Sequence, residues 1–145
     1  SSDVCSSDLD ELVAVVSTRS KLVKHDEITV KELCDVPLVL RERGSGTLDV
    51  LETSLLSHNV RLSDMNVLMY LGSTESIKLF LENTDCMGIV SVRSIDRELV
   101  AGQFKVIEIK DLDMEREFSF VRLQGEESGL SQVFMQFAEH YNKNL

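Results

Sequence analysis

The sequence is short of most features that announce an activity. It has one proline, Pro37, no tryptophan and three cysteines in 145 residues. Cys5, Cys34 and Cys86 are odd in number and widely spaced, with no CxxC and no Cys/His pair at metal spacing. They read as buried, reduced thiols of a cytosolic protein, not as a disulfide framework or a metal site. His25, His58 and His140 are scattered among polar neighbours and read as solvated surface. Positive charge is also scarce: 15 Lys and Arg against 25 Asp and Glu give a formal net charge of −10. Affinity for nucleic acid comes largely from neutralising phosphates, so this chain by itself is a poor nucleic-acid binder. No run approaches the roughly 20 apolar residues of a membrane-spanning helix, and no secretory signal opens the chain. There is no GxSxG, no HExxH and no Walker A lysine, and no nucleophile stands beside a base. The expectation is a binding protein without catalytic residues, metal or cofactor.

What is present is the composition of an ordinary globular domain, 43% hydrophobic and 28% charged. Ser1-Ser2-Asp3 recurs as Ser6-Ser7-Asp8, so residues 1–9 read as a non-native extension, and the missing initiator Met agrees with a fragment. Beyond it, Leu12 to Val16 is a β-branched run suited to a buried strand. Thr29 followed by Glu32 is a capping-box pattern opening a short helical turn with Leu33. Pro37 then introduces the strand Leu38 to Leu40. Leu48, Leu51 and Leu55 share a helical face, as do Ile77, Phe80 and Leu81. Val67 to Leu71 and Ile89 to Val92 read as strands. Ser94 is placed to cap a short helix carrying Ile95 and Leu99, with Gly102 ending it. Asp111, Asp113, Glu115 and Glu117 fall in a polar connection. Phe104 to Ile109 and Phe118 to Leu123 are the last strands. Leu130, Val133, Phe134, Phe137, Ala138 and Tyr141 then fall on one helical stripe. The alternation of strands and helices predicts an α/β domain with a mostly parallel sheet.

Two segments share one design. Leu38 to Arg41 feeds Gly44-Ser45-Gly46-Thr47 and then a helix; Val67 to Leu71 feeds Gly72-Ser73-Thr74 and then a helix. Such turns gather free backbone N–H groups, the positive end of a helix dipole and hydroxyls at one place, which suits a carboxylate, sulfate or phosphate. In parallel α/β sheets these places lie at the carboxyl ends of the strands. The same residues are equally at home as turn-formers and helix caps, so the chemistry alone leaves both roles open. Arg41, Glu42 and Arg43 read as an ion-pair group at a strand end, with the role of Arg43 open.

These residues also carry a resemblance. The run Asp10 to Ser17 looks like the strand that precedes the second subdomain in LysR-type transcriptional regulators. Pro37-Leu38-Val39-Leu40-Arg41-Glu42-Arg43-Gly44-Ser45-Gly46-Thr47 is similar to that family's PLILREXGSGT segment. Leu71-Gly72-Ser73-Thr74-Glu75-Ser76-Ile77-Lys78 resembles its LGSTEAIK segment. Gly88 to Ser91 and Glu98 to Gly102 resemble its GIxxxS and ELxxG stretches, with a shorter interval between them and Cys86 where a glycine is common. The resemblance implies a periplasmic-binding-protein-like (type II) fold of two α/β subdomains, the second complete and the first partial. Residues 10–34 would be the end of subdomain I and the crossover, 35–109 the effector subdomain II, and 110–145 the return strand and C-terminal helix of subdomain I.

Its functional implication is a cytoplasmic sensor that binds a small, anionic effector in the crevice between subdomains. The residues carried over are Arg43, Gly44, Ser45, Gly46, Thr47, Ser73 and Thr74. Promoter DNA would be reached only through a helix-turn-helix that this chain does not contain, in a homodimer or homotetramer with no membrane contact. The alternative is a solute-binding protein of a transporter, which uses the same two-lobed fold. The partial first subdomain implies one more thing: the terminal helix should leave part of its apolar stripe exposed.

Overall fold

The computed structural model describes the backbone of residues 2–123 and 129–143, with side-chain surroundings for 9–116 and much of 129–140. It divides into two compact units, Glu11–Arg116 and the remainder, Ser1–Asp10 with Glu117–Leu145.

The first unit is built on a mixed sheet. Strands β1 (Ser2–Ser17), β2 (Glu27–Thr29), β3 (Leu38–Arg41), β4 (Val67–Leu71), β5 (Met87–Ser91) and β6 (Phe104–Lys110) lie in the order β2-β6-β1-β5-β3-β4. The pairs β2/β6, β3/β4 and β3/β5 are parallel, as the alternation of elements predicts. Strand β1 departs from that, running antiparallel to both β5 and β6. Its middle, Leu12 to Val16, is buried on both faces, which is why the sequence there is a continuous apolar run and not an alternating one.

Helices α1 (Val30–Leu33), α2 (Gly46–Leu56), α3 (Thr74–Glu82) and α4 (Asp96–Val100) connect these strands. Thr29 does cap α1: its Oγ1 accepts from Glu32 N, and the Glu32 carboxylate accepts from Thr29 N at 2.8 Å. Successive residues of β3 point to opposite faces, and the two cores separate accordingly. Leu38 and Leu40 pack with Leu48, Leu51 and Leu55 of α2. Val39 packs with Ile77 and Leu81 of α3. The two helices therefore cover opposite faces of the sheet. On the α3 side, Gly88 of β5 permits close approach: a Cβ there would lie 3.0 Å from Ile77 Cγ2 and 3.1 Å from Leu81 Cδ1.

Three local expectations are corrected. Ser94 does not cap α4: it sits inside the 3₁₀ turn Val92–Ile95, and its hydroxyl donates back to Ser91 O at 2.6 Å, while Ile95 holds the cap position. That hydroxyl finds an acceptor three residues back before it can serve the next helix. Glu115 and Glu117 belong to strand β7 (Glu115–Leu123), which pairs with β1, so the polar connection ends at the buried Met114. His58 is half-buried, with Nε2 2.7 Å from Asp111 O. Gly102, with φ 69°, terminates α4 as expected. Cys86 is fully buried and burial pushes its thiol up to about 11, whereas Cys34 is half-buried; the side chain of Cys5 lies outside the described residues.

The second unit contains α5 (Gly129–Lys143). Leu130, Val133, Phe134 and Phe137 are exposed on it, from 59% to 82%. Ala138 is half-buried and Tyr141 lies outside the described side chains.

Candidate functional site

Strand β3 leaves the sheet at Arg41 and turns through Gly44, whose φ of 90° lies where a side chain is strained. The turn delivers Ser45 to the N-cap of α2, where its Oγ accepts from Leu48 N at 3.2 Å. Strand β4 leaves through Gly72 and delivers Ser73 to the N-cap of α3. There Ser73 Oγ accepts from Ser76 N at 3.1 Å and shares a 2.8 Å hydrogen bond with the Ser76 hydroxyl. Both serines are thus helix caps. Gly46, Thr47, Thr74 and Glu75 follow them in the first turns, where backbone N–H groups have no partner inside the helix.

The two turns are neighbours. Arg41 pairs with Leu71 across the β3/β4 ladder, and Glu42 N donates to Leu71 O at 3.1 Å. Both turns therefore lie at the carboxyl ends of adjacent parallel strands, with α2 and α3 on opposite faces of the sheet, and ligands of open α/β sheets bind outside the carboxyl ends of the strands. Two dipole ends and two cap hydroxyls lie at that edge.

The charge around it is ordered by three arginines. Arg41 grips Glu42 through Nε and Nη2, both at 3.2 Å, and that contact holds the Glu42 carboxyl below the usual carboxylate range. The expected ion pair is there, and it is internally neutral. Arg43 is exposed. The third was not foreseen: Arg116 Nη1 donates to Thr47 Oγ1 at 3.4 Å and lies 3.5 Å from the point a Cβ on Gly46 would occupy. A guanidinium therefore lies over the first turn of α2. Thr47 and Arg116 are 69 positions apart, so no local pattern could have shown their meeting.

Lys78 of α3 was quoted in a motif but given no role. It is buried, with Nζ 2.8 Å from Glu98 and 3.1 Å from Glu75. Burial pushes its pKa down, but the hydrogen bonds to Glu98 and Glu75 outweigh that and hold it above the ordinary lysine value. Glu98, held down chiefly by Lys78, belongs to the ELxxG stretch, so this ion pair ties two of the sequence motifs together.

A cavity of about 510 Å³ beside β1 and β6 competes on volume alone. Its ionisable lining is Glu11, Glu108, Asp111 and Asp113, which would repel an anion. Among the described residues no cluster of three or more His, Cys, Asp or Glu side chains could hold a metal ion, and no helix is long and apolar enough to cross a membrane.

Comparison with known proteins fits this geometry. A family described as LysR substrate binding domain matches residues 9–142. The uncharacterized HTH-type transcriptional regulator YeiE of Escherichia coli K12 is 34% identical over 100 residues, covering 69% of this chain and 33% of that protein. The chain thus spans about a third of that relative's length. The CcmR regulatory domain of Synechocystis PCC6803, solved in complex with 2-PG, superposes with a TM-score of 0.82 at 22% identity, covering 99% of this chain and 68% of that one. The effector binding domain of QuiR, solved with shikimate, gives 0.78 at 20% identity, covering 99% and 66%. At these identities the two structures establish the fold.

Proposed function

Since the chain belongs to the LysR substrate binding domain family, we propose that it is the effector-sensing part of a LysR-type transcriptional regulator and catalyses no reaction. The effector is a small organic anion. It binds at the carboxyl ends of β3 and β4, against Ser45, Gly46 and Thr47 on one turn and Ser73 and Thr74 on the other, with Gly44 shaping the first turn and Arg43 at the rim. In the longer protein this event would be passed to promoter DNA through a helix-turn-helix domain, in a cytoplasmic homo-oligomer. The relatives' names support the regulator over the transport reading: YeiE is an HTH-type regulator, and CmpR of Synechocystis, 27% identical over 127 residues, is named an HTH-type transcriptional activator. The two related domains solved with 2-PG and with shikimate support a small organic ligand.

The observation that carries the site is the pair of helix N-termini at the carboxyl ends of β3 and β4, with Arg116 laid over the first turn of α2. Helix N-termini favour anions through oriented N–H groups and the dipole, and a guanidinium adds fork-like donors for a carboxylate or phosphate. The test is thermal denaturation of this chain against a panel of small carboxylates and phosphate esters. A ligand at a hundredfold its Kd stabilises by about 2.7 kcal/mol, a readily measured rise in melting temperature. That rise should fall sharply in Arg116→Gln and Thr47→Val. A panel with no stabilising anion, or a rise indifferent to both variants, would remove the site from this edge.

A further inference from the structure

The sheet has a second edge. Strand β1 runs antiparallel to β5 and β6, and its last residue, Ser17, pairs with Phe104, where β6 begins. Ser17 therefore stands at the amino ends of the parallel strands, away from the carboxyl ends of β3 and β4. Two cavities lie there, of about 310 and 220 Å³, and Ser17, Arg19 and Glu82 line both. Their wall is anchored on two sides. Thr18 N donates to Gln103 O at 3.0 Å and Thr18 Oγ1 to Gly102 O at 2.9 Å, while Lys21 N donates to Asp85 Oδ1 at 3.0 Å. Arg19 sits between these anchors, with its backbone N–H donating to Ser17 Oγ at 3.2 Å. Ser17 is buried, and its hydroxyl accepts that bond but donates none among the described residues. Helix α3 ends at Glu82, so a carboxylate joins the negative end of the helix dipole. The Arg19 guanidinium and the Glu82 carboxylate are exposed in the same cavities, yet neither forms an ion pair with the other or with any described residue.

We propose that the adjoining cavities around Ser17, Arg19 and Glu82 are a second small-molecule site, and that it takes a zwitterion of the α-amino-acid kind. The guanidinium of Arg19 offers a planar fork to a carboxylate, and the Ser17 hydroxyl adds a donor beside it. Glu82 and the end of α3 receive the ammonium group. A ligand with one charge satisfies only half of this arrangement: an anion meets the Glu82 carboxylate as a like charge, and a cation meets Arg19 in the same way. The larger cavity has Ala101 as its one apolar side chain, so it offers little to an apolar ligand and suits a small polar one. The anchors at Thr18 and Lys21 hold the wall in place before binding, which lowers the cost of ordering it. Asp85 lines the smaller cavity too, but its carboxylate is engaged by Lys21 N. This site shares no residue with the anion site at β3 and β4, so either can fail without the other.

Titration of the isotope-labelled chain with glycine, L-serine, L-glutamine and L-glutamate, followed by amide chemical shifts, tests this. Acetate and methylammonium serve as the single-charge controls. The expected result is a saturable shift, with at least one of the amino acids, confined to amides 18–20, 83–85 and 102–103. The two controls should bind at least about tenfold more weakly. Arg19→Gln and Glu82→Gln, both at exposed positions, should each weaken binding at least about tenfold, while Lys31→Gln, an equal loss of charge elsewhere, should leave it unaltered. The shift map and the controls on the unsubstituted chain carry the test even if a variant folds poorly. No saturable shift up to about 10 mM, enough to fill most of a site with a Kd of roughly 1 mM, overturns the proposal. So does a map centred on other residues, acetate or methylammonium binding as tightly as the amino acids, or binding indifferent to Arg19→Gln or Glu82→Gln.

Discussion

At the scale of single residues, the structure separates positions that hold the edge together from positions free to meet a ligand. Ser73 is engaged as a cap, so Ser73→Ala should cost about 1 kcal/mol of stability whatever it does to binding. Effector titration beside urea denaturation distinguishes the roles: lost stability with unchanged affinity assigns Ser73 to the helix alone. Gly88 is a different case. Its two nearest neighbours are branched side chains that are themselves fully buried, so they have little room to yield. Gly88→Ala is expected to lose about 1–3 kcal/mol through overpacking. The Lys78–Glu98 pair gives a third expectation. Removing one partner leaves a buried ammonium with only the exposed Glu75, and Glu98→Gln should cost about 1–2 kcal/mol at neutral pH. The Glu98 carboxyl is held below its ordinary 4.5, so its contribution is present above that value and lost as pH falls through the depressed one. Lys78 is held above its ordinary 10.5, so the pair persists below that value and is lost as pH rises through the elevated one. The stability gap between wild type and Glu98→Gln should therefore be flat between these limits and close outside them.

At the scale of elements, short pieces depend on their caps. Helix α1 has four residues, too few to persist by propagation, and it is held by the reciprocal Thr29–Glu32 bonds and by Leu33 in the core. Thr29→Ala should cost about 1 kcal/mol and raise amide exchange first in residues 30–34. Helices α2 and α3 illustrate a different lesson. Each was legible as a helix from its apolar spacing, while the residue that caps it was left open among the turn residues and is settled as Ser45 and Ser73 by the structure. That they cover opposite faces was not legible, because it follows from the alternation of β3 between two cores. Strand β4 shows the same limit: the run Val67 to Leu71 reads as a strand, but its place at the exposed edge of the sheet was not legible.

At the scale of the whole molecule, five carboxylates spread over the chain are shifted in one direction. Asp26, Glu32, Glu42, Asp85 and Glu98 are all held below their ordinary values by hydrogen bonds, led by Lys105, the Thr29 backbone, Arg41, the Lys21 backbone and Lys78 respectively. Each contributes stability above its unfolded value, 3.8 for Asp or 4.5 for Glu, and loses it as pH falls through the lowered one. The melting temperature should accordingly drop on acidification from about pH 4.5 downward, as this protonation proceeds. With 25 acids against 15 bases, neutral-pH stability should also rise with moderate salt, which screens the net repulsion. A melting temperature that falls with sodium chloride would show that attractive pairs outweigh that repulsion.

The sequence by itself determined most of the strands and helices and the parallel pairs of the sheet. Strand runs, helix stripes, the capping box at Thr29 and the serines at Ser45 and Ser73 are local, each set by a few consecutive side chains acting on their own backbone. It also carried the family, because the turn motifs stand in order along the chain. Tertiary structure decided what lies opposite what: the antiparallel placement of β1, Arg116 over Thr47, Lys78 beside Glu98, and the exposure of β4. Each of these joins or exposes residues according to how distant segments pack. Packing distributes its energy over many contacts, no one of which leaves a mark in the spacing of residues along the chain.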